Sequence, residues 1–166
     1  MGASDFSKLP HIGESVRRKE DYRFLTGAGQ YTDDIVLAAQ SFAVFVRSPH
    51  AHARVVSINS DAAKAAPGVI GVFTGADVAA DNINGLPCGW LITSTNGEPM
   101  KEPPHPILAQ GKVRYVGDGV AMVVAETLQQ ARDAAERVEV DYDVLPAVVN
   151  VQDAAAGAVA GAGLHD

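Results

Sequence analysis

Residues 120–144 constrain the fold of this chain more strongly than any other stretch of its sequence. An uninterrupted apolar run at 120–125 is typical of a buried strand. Thr127 and Gln130 follow at the spacing of a capping box, in which each side chain accepts a hydrogen bond from a backbone N–H at a helix start. Residues 139–144 then alternate in polarity, as a strand with one face in water does. The pattern predicts a strand–helix–strand unit.

The apolar residues of the predicted helix recur every three or four positions, so they fall on one narrow face. They are Leu128, Ala131, Ala134, Ala135 and Val138. We expect this face to pack against a sheet, because a single apolar stripe on a helix is buried against a neighbouring element.

A second strand–helix–strand unit is predicted earlier in the chain. A strand candidate at 54–58 leads to Ser60, a residue type favoured at the start of a helix. Pro67-Gly68 ends that short helix, because proline and glycine both disfavour its continuation. The apolar, β-branched run at 69–74 completes the unit as a strand.

Other strands surround these two units. Residues 41–47 are rich in Phe and Val and are predicted to form a strand buried on both faces. Residues 112–115 are predicted to be a half-exposed strand, and Thr74 is placed to cap one helical turn over 76–79. The expected fold class is therefore α+β, a mixed α/β domain.

A long irregular loop is predicted at 81–111, because nine glycine and proline residues interrupt this stretch. Loops of this length in a compact domain are usually functional or form an interface. Trp90, Leu91 and Ile92 are adjacent within it, and three large apolar side chains are a poor choice for a permanently wet surface. We therefore predict a protein interface at Cys88, Trp90, Leu91 and Ile92, with Trp90 as its anchor.

Three regions are expected along the chain. Residues 1–34 are polar and are predicted to form an extended arm with turns, and residues 35–150 are predicted to form the folded domain. Residues 151–166 are rich in Ala and Gly, which is typical of a linker or of a truncated tail.

Charge and cysteine content exclude several classes of function. The formal net charge is −7, so nucleic acid and anionic membranes are not expected as partners. The single Cys88 excludes an internal disulfide, and also an iron–sulfur cluster held by this chain alone. The longest apolar run is far shorter than the roughly 20 residues of a membrane helix, so no membrane insertion is expected. A cytoplasmic location is predicted.

Two candidate sites have simpler explanations. His50 and His52 supply too few ligands for zinc, so we predict a turn packed by hydrogen-bonded histidines. Cys88 with His105 downstream would be a thiol nucleophile only with a positioned base and a lowered pKa, and the sequence indicates neither.

Several motifs, taken in order, resemble the start of the large subunit of molybdenum hydroxylases, the family of carbon monoxide dehydrogenase, xanthine dehydrogenase and aldehyde oxidase. The matching segments are Gly13-Glu14-Ser15-Val16-Arg17-Arg18, Asp21-Tyr22-Arg23-Phe24-Leu25-Thr26-Gly27, Gly29-Gln30-Tyr31-Thr32-Asp33-Asp34, Arg47-Ser48-Pro49-His50-Ala51-His52-Ala53, Gly71-Val72-Phe73-Thr74-Gly75-Ala76-Asp77, Val116-Gly117-Asp118 and 138–146. The resemblance implies an α/β-hammerhead domain.

Within the family, the chain is most similar to the carbon monoxide dehydrogenase-like branch. That branch often carries the Pro-Cys-Gly-Trp sequence found here at 87–90 and the Lys-Glu-Pro-Pro-His-Pro sequence found at 101–106. Gly119 departs from the family pattern, in which a proline usually follows Val-Gly-Asp.

The resemblance implies a non-catalytic structural and subunit-docking module. The family's molybdopterin motifs and catalytic glutamate lie outside this chain, so no cofactor is expected to bind to it alone. Molybdopterin would belong to the rest of the large subunit, and iron–sulfur clusters and FAD to partner subunits. The chain would be a fragment or one piece of a split subunit. The alternatives are a free-standing small-molecule-binding module that uses 81–111, and an autonomous cysteine-dependent enzyme.

Overall fold

The computed structural model describes Gly13, Ser15, 17–100 and 102–156, and the chain divides into two units, Met1–Ala38 and Ala39–Asp166. In the first unit, Asp21–Leu25 forms the single-turn helix α1 and Thr32–Asp34 forms a 3-10 turn. The ring of Phe24 stacks on that of Tyr31, with 5.2 Å between centroids. The polar arm predicted at 1–34 thus contains two short helical turns in its described part.

The described residues of the second unit form six strands and four helices. They are β1 (Phe42–Arg47), β2 (Ala53–Asn59), α2 (Asp61–Lys64), β3 (Val69–Thr74), α3 (Gly75–Ala80), β4 (Lys112–Val113), β5 (Gly119–Ala125), α4 (Leu128–Ala135), β6 (Glu139–Val144) and α5 (Val151–Ala156). The mixed α/β class expected from the sequence is confirmed. Within the described residues, no helix is long and apolar enough to cross a bilayer.

The strands form two antiparallel sheets, with the orders β1-β5-β3 and β4-β2-β6. The two predicted strand–helix–strand units are present as β2-α2-β3 and β5-α4-β6. Each unit begins in one sheet and ends in the other, so both helices connect the two sheets.

The core lies between α2, α4 and one face of the first sheet. Ala131 and Ala134 of α4 are fully buried, and Ala134 packs in one cluster with Ala63, Val72 and Val123. A second cluster is built around Ala53, Ala109, Val113 and Val120. Val46 and Val140 pack against both clusters, so the two sheets share one continuous apolar interior.

Helix α4 differs in two details from the expected one. Leu128 is exposed, because the buried face is centred on Ala131 and Ala134. The Thr127 hydroxyl oxygen accepts from the Gln130 N–H at 3.2 Å, as predicted, whereas Gln130 accepts from the Thr127 hydroxyl rather than from its backbone. Half of the predicted capping box is therefore formed.

Two further expectations differ from the structure. Strand β1 is not buried on both faces: Ala43, Phe45 and Arg47 are exposed, because α4 packs against the opposite face of the strand. Residues 151–156 form α5 rather than a linker, because alanine favours helix and Asn150 accepts from the Gln152 N–H at 2.8 Å. Residues 157–166 lie outside the described residues.

Candidate functional site

The loop 81–111 is fastened to the domain at both ends. At its start the Ile83 N–H donates to the Val78 carbonyl of α3 at 3.1 Å. At its end Leu108 is buried, and the Ala109 N–H donates to the Gly119 carbonyl of β5 at 2.8 Å. The described residues between these points form no helix, as the sequence predicts.

The two limbs of the loop approach each other closely at Gly85. The Leu86 N–H donates to the His105 carbonyl at 2.9 Å, and a Cβ on Gly85 would overlap that carbonyl oxygen. A residue with a side chain would push the limbs apart, so glycine is required at this position.

The far end of the loop is a small hairpin that the sequence analysis missed. The Ser94 N–H donates to the Glu98 carbonyl at 2.8 Å, and the Met100 N–H donates to the Ile92 carbonyl at 3.0 Å. Asn96-Gly97 lies in its turn, and Gly97 has a φ of +84°. The Asn-Gly pair is a recognised hairpin signal, which the surrounding prolines obscure.

The predicted interface residues lie together at the base of this hairpin. Trp90, Leu91 and Ile92 expose 82%, 65% and 58% of their surface, respectively. Cys88 is half-buried, and its N–H donates to the Glu102 carboxylate at 3.1 Å. The four residues thus form one continuous segment whose large apolar side chains project into solvent.

The Cys88 thiol is directed at a backbone carbonyl. Its sulfur lies 3.5 Å from the Trp90 carbonyl oxygen, and within the described chain no hydrogen bond joins it to His105. A thiol nucleophile requires a base within hydrogen-bond reach. The geometry therefore weighs against an autonomous cysteine-dependent enzyme.

His50 and His52 form the packed turn that the sequence predicts. A ring nitrogen of His52, Nδ1, is 2.7 Å from the Pro146 carbonyl oxygen, and the His50 ring meets Tyr142 edge-on at 5.0 Å. Ser48 is buried beneath the turn, and its hydroxyl oxygen accepts from the His50 N–H at 3.0 Å. Among the described residues no group of three or more His, Cys, Asp or Glu could hold a metal ion.

The same turn joins two of the motifs that carry the family resemblance. The Ser48 N–H donates to the Asp118 carbonyl and the Gly117 N–H donates to the Ser48 carbonyl, both at 2.8 Å. Arg47 also donates to the Gly117 carbonyl at 2.8 Å. Burial raises the pKa of Tyr142 beside this turn; a hydrogen bond with Ser48 lowers it and the Asp118 charge raises it again.

A second apolar surface was missed by sequence reasoning. Phe45 of β1 and Phe73 of β3 both lie opposite Met122 of β5, on the side of the first sheet away from α4. Phe45 and Phe73 are 40% and 41% exposed. A groove of about 310 Å³ runs over this row towards Ile83 and Ile107. The sequence signal for this surface is the apolar character of both faces of β1, which predicts burial of both faces instead.

Two small antiparallel sheets, joined by helices that cross from one to the other, define an α/β-hammerhead domain. Residues 26–146 match the family described as "Aldehyde oxidase and xanthine dehydrogenase, a/b hammerhead domain". The chain belongs to this family.

Relatives of known identity match most of the chain. It is 41% identical over 143 residues to the carbon monoxide dehydrogenase large chain of Afipia carboxidovorans, a match that covers 86% of this chain and 16% of that one. It is 40% identical over 139 residues to the nicotine 6-hydroxylase large subunit of Paenarthrobacter nicotinovorans, covering 84% of this chain and 16% of that subunit.

Two solved structures are also similar to this chain. Quinoline 2-oxidoreductase from Pseudomonas putida 86 matches with a TM-score of 0.75 and 42% identity, over 88% of this chain and 18% of that one. Carbon monoxide dehydrogenase from Oligotropha carboxidovorans matches with a TM-score of 0.68 and 41% identity, over 84% of this chain and 16% of that one. The chain thus spans less than a fifth of these relatives.

Proposed function

We propose that this chain is the hammerhead domain of the large subunit of a molybdenum-dependent oxidoreductase, and that it is structural rather than catalytic. Family membership supports this proposal, as do the names of relatives. One of them, the xanthine dehydrogenase molybdenum-binding subunit of Escherichia coli O157:H7, is 36% identical over 132 residues. Another is a structure titled as a Cu,Mo-CO dehydrogenase, which is 40% identical over 89% of this chain.

In this proposal the cofactors lie outside the chain. The described residues do not fit a molybdenum centre, because they contain no cluster of metal ligands and the His50–His52 turn packs against Tyr142 and Pro146. Molybdopterin would be held by the rest of the large subunit, and iron–sulfur clusters and FAD by partner subunits in the cytoplasm. The chain's own contribution is to position these neighbours.

The exposed segment at Trp90, Leu91 and Ile92 is the observation that carries the docking role. Burying a large apolar side chain that is exposed to water is favourable by about 1.5–3 kcal/mol. Tryptophan is enriched among the few residues that carry most of the binding energy of protein interfaces. The hairpin begins directly behind this segment, at Ile92, whose carbonyl accepts from the Met100 N–H.

Hydrogen exchange in a grafted enzyme tests this role. The 166-residue chain replaces the matching stretch of the Afipia carboxidovorans carbon monoxide dehydrogenase large chain, to which it is 41% identical. We expect amides at 86–100 to exchange more slowly in the graft than in the isolated chain. Trp90→Ala should restore fast exchange there, whereas Val56→Ala, at an exposed position of β2, should not.

Two results would contradict the docking role. One is equal exchange of the loop in the graft and in the isolated chain, with the 120–144 unit protected in both. The other is failure of the unmodified graft to fold in place of its relative, because a hammerhead domain with the same role should replace another at this identity.

A small-molecule site remains a second candidate, because a groove of about 350 Å³ lies between α3 and the loop. Its volume is at the lower end of the range for ligand pockets. Screening a fragment library against the isolated chain by NMR tests this function. Saturable shifts confined to Ile83, Gly85 and Pro106 would support it, and their absence at millimolar fragment would refute it.

A further inference from the structure

The two sides of the first sheet are covered to different extents. Helix α4 packs across β1 and β5, and Ala134 with Val72 and Val123 forms the core beneath it. On the opposite side Phe45, Met122 and Phe73 form a row across all three strands. An antiparallel sheet with one free face normally presents polar residues to water on that face. This face instead presents two aromatic rings and a methionine.

The row forms the floor of an apolar groove. Val78 and Leu108 lie along it, and Ile83 and Ile107 border it from the loop 81–111. The polar groups at its rim are the carboxylates of Asp77 and Asp81. Asp77 already accepts two hydrogen bonds from Thr74. A small-molecule site would need several polar groups that converge on one point, and this groove does not provide them.

We propose that this open face is a second docking surface, and that an apolar segment of the remainder of the large subunit covers it. The proposal rests on the proposed function, since that function supplies the occupant. The matching stretch is 16% of the Afipia carboxidovorans large chain, so most of such a chain is available to cover the face.

Two features of the surface favour this occupant. First, Ile83 and Ile107 belong both to the loop and to the groove, and both are about half exposed, so the loop adds apolar surface to the groove. Second, the rim near Asp81 is acidic and the whole chain has a net charge of −7. The covering segment should carry a basic residue at that rim, because charge complementarity fixes the register of an interface.

Site-specific photo-crosslinking in the graft described above tests the proposal. The photoreactive residue p-benzoylphenylalanine replaces Phe73 on the open face, Trp90 on the loop, or Arg132 on the exposed side of α4 as a control. Isotope labelling of half the sample separates links within one chain from links between copies. We expect Phe73 to link to a peptide outside the grafted stretch, and Arg132 to give no such link.

The pattern of crosslinks distinguishes the open face at Phe73 from the loop interface at Trp90. Links from Trp90 without links from Phe73 would overturn the open face as a docking surface and leave the loop interface intact. Absence of both would overturn both proposals. Links from Phe73 only between copies would show that a second copy, rather than the large subunit, covers the face, and would overturn the assignment.

A second variant keeps the test independent of crosslinking chemistry. Phe73→Ser should speed amide exchange in the peptide that Phe73 contacts in the graft, because that peptide loses its cover. The matched substitution Val56→Ser, at an exposed position in the other sheet, should leave that peptide unchanged. Equal exchange in the two variants would overturn the proposal.

Discussion

The backbone N–H and the side-chain hydroxyl of Thr74 both donate to the same carboxylate oxygen of Asp77, each over 2.7 Å. The contact ties the end of β3 to the first turn of α3. It lowers the pKa of Asp77, through the hydroxyl hydrogen bond first and then the backbone one, and the Lys64 charge lowers it further. A solvent-exposed carboxylate thus fixes where the strand ends and the helix begins.

We predict that Thr74→Val raises the Asp77 pKa towards its ordinary value, because the variant loses the hydroxyl hydrogen bond, which lowers this pKa more than the backbone one does. The folded pKa of Asp77 is depressed, so its stabilisation is present above the unfolded pKa of about 3.9 and is lost as pH falls through the folded pKa. The variant should be less stable at neutral pH, and the difference should narrow in acid, where the Asp77 carboxylate is protonated. NMR titration of the carboxyl carbon measures the pKa. Thr74→Ser retains the hydroxyl and should titrate like the parent.

The cap of α4 yields a second prediction. The Thr127 hydroxyl accepts from the Gln130 N–H at the first turn. Thr127→Ala should lower the free energy of unfolding by about 1 kcal/mol, because that donor loses its partner. Urea unfolding of the isolated chain provides the measurement. Thr127→Ser keeps an acceptor and should cost less; an equal loss in the two variants would argue against the cap.

Overpacking at Ala134 is the third prediction. This side chain is fully buried against Val72 and Val123. Ala134→Leu should cost about 1–3 kcal/mol, since the added carbons have no free space and force neighbours from their rotamers. Arg132→Leu places the same side chain on the exposed side of the helix and serves as the control. Equal urea midpoints for the two variants would mean that the helix presents a different face.

Alkaline unfolding is the fourth prediction. Burial raises the pKa of Tyr142 above 10.0, so its neutral form is favoured in the folded state. Its contribution to stability is complete below the unfolded pKa of about 10 and is lost as pH rises through the folded pKa. Tyr142→Phe should therefore reduce the dependence of stability on pH above 10, as measured by urea unfolding across an alkaline series. Tyr22→Phe, at an exposed position of α1, is the control.

The sequence was most informative where local signals agreed. At β5-α4-β6, an apolar run, a threonine cap and an alternating strand all indicated the same elements, and their bounds were close to those observed. The sequence was least informative about which strands pair with each other. Asn59 lies opposite Glu139 in the second sheet, and no local pattern predicts contact between residues so far apart in the chain.

The two candidate surfaces also differ in how well the sequence predicts them. Proline and glycine around Trp90 allowed its exposed loop to be predicted, because breakers act locally. The open face was missed because Phe45 alternates with Val44 and Val46, and alternation between two apolar types does not tell which side faces water. Only the pairing of Phe45 with Met122, and of Met122 with Phe73, identifies the exposed side.

The crossing of each strand–helix–strand unit between the sheets also determines how the chain responds to a cut. A nick within 81–111 would separate β1, β2 and β3 from β4, β5 and β6. Neither fragment could complete a sheet, since β5 lies between β1 and β3 while β2 lies between β4 and β6. The two fragments would therefore interlock and complement each other. In the intact chain the loop connects the two halves. Its length has little effect on the free energy of folding, because each doubling of a loop's length costs only roughly 0.6 kcal/mol. The hammerhead thus carries the exposed Trp90, Leu91 and Ile92 on a segment whose continuity neither sheet requires.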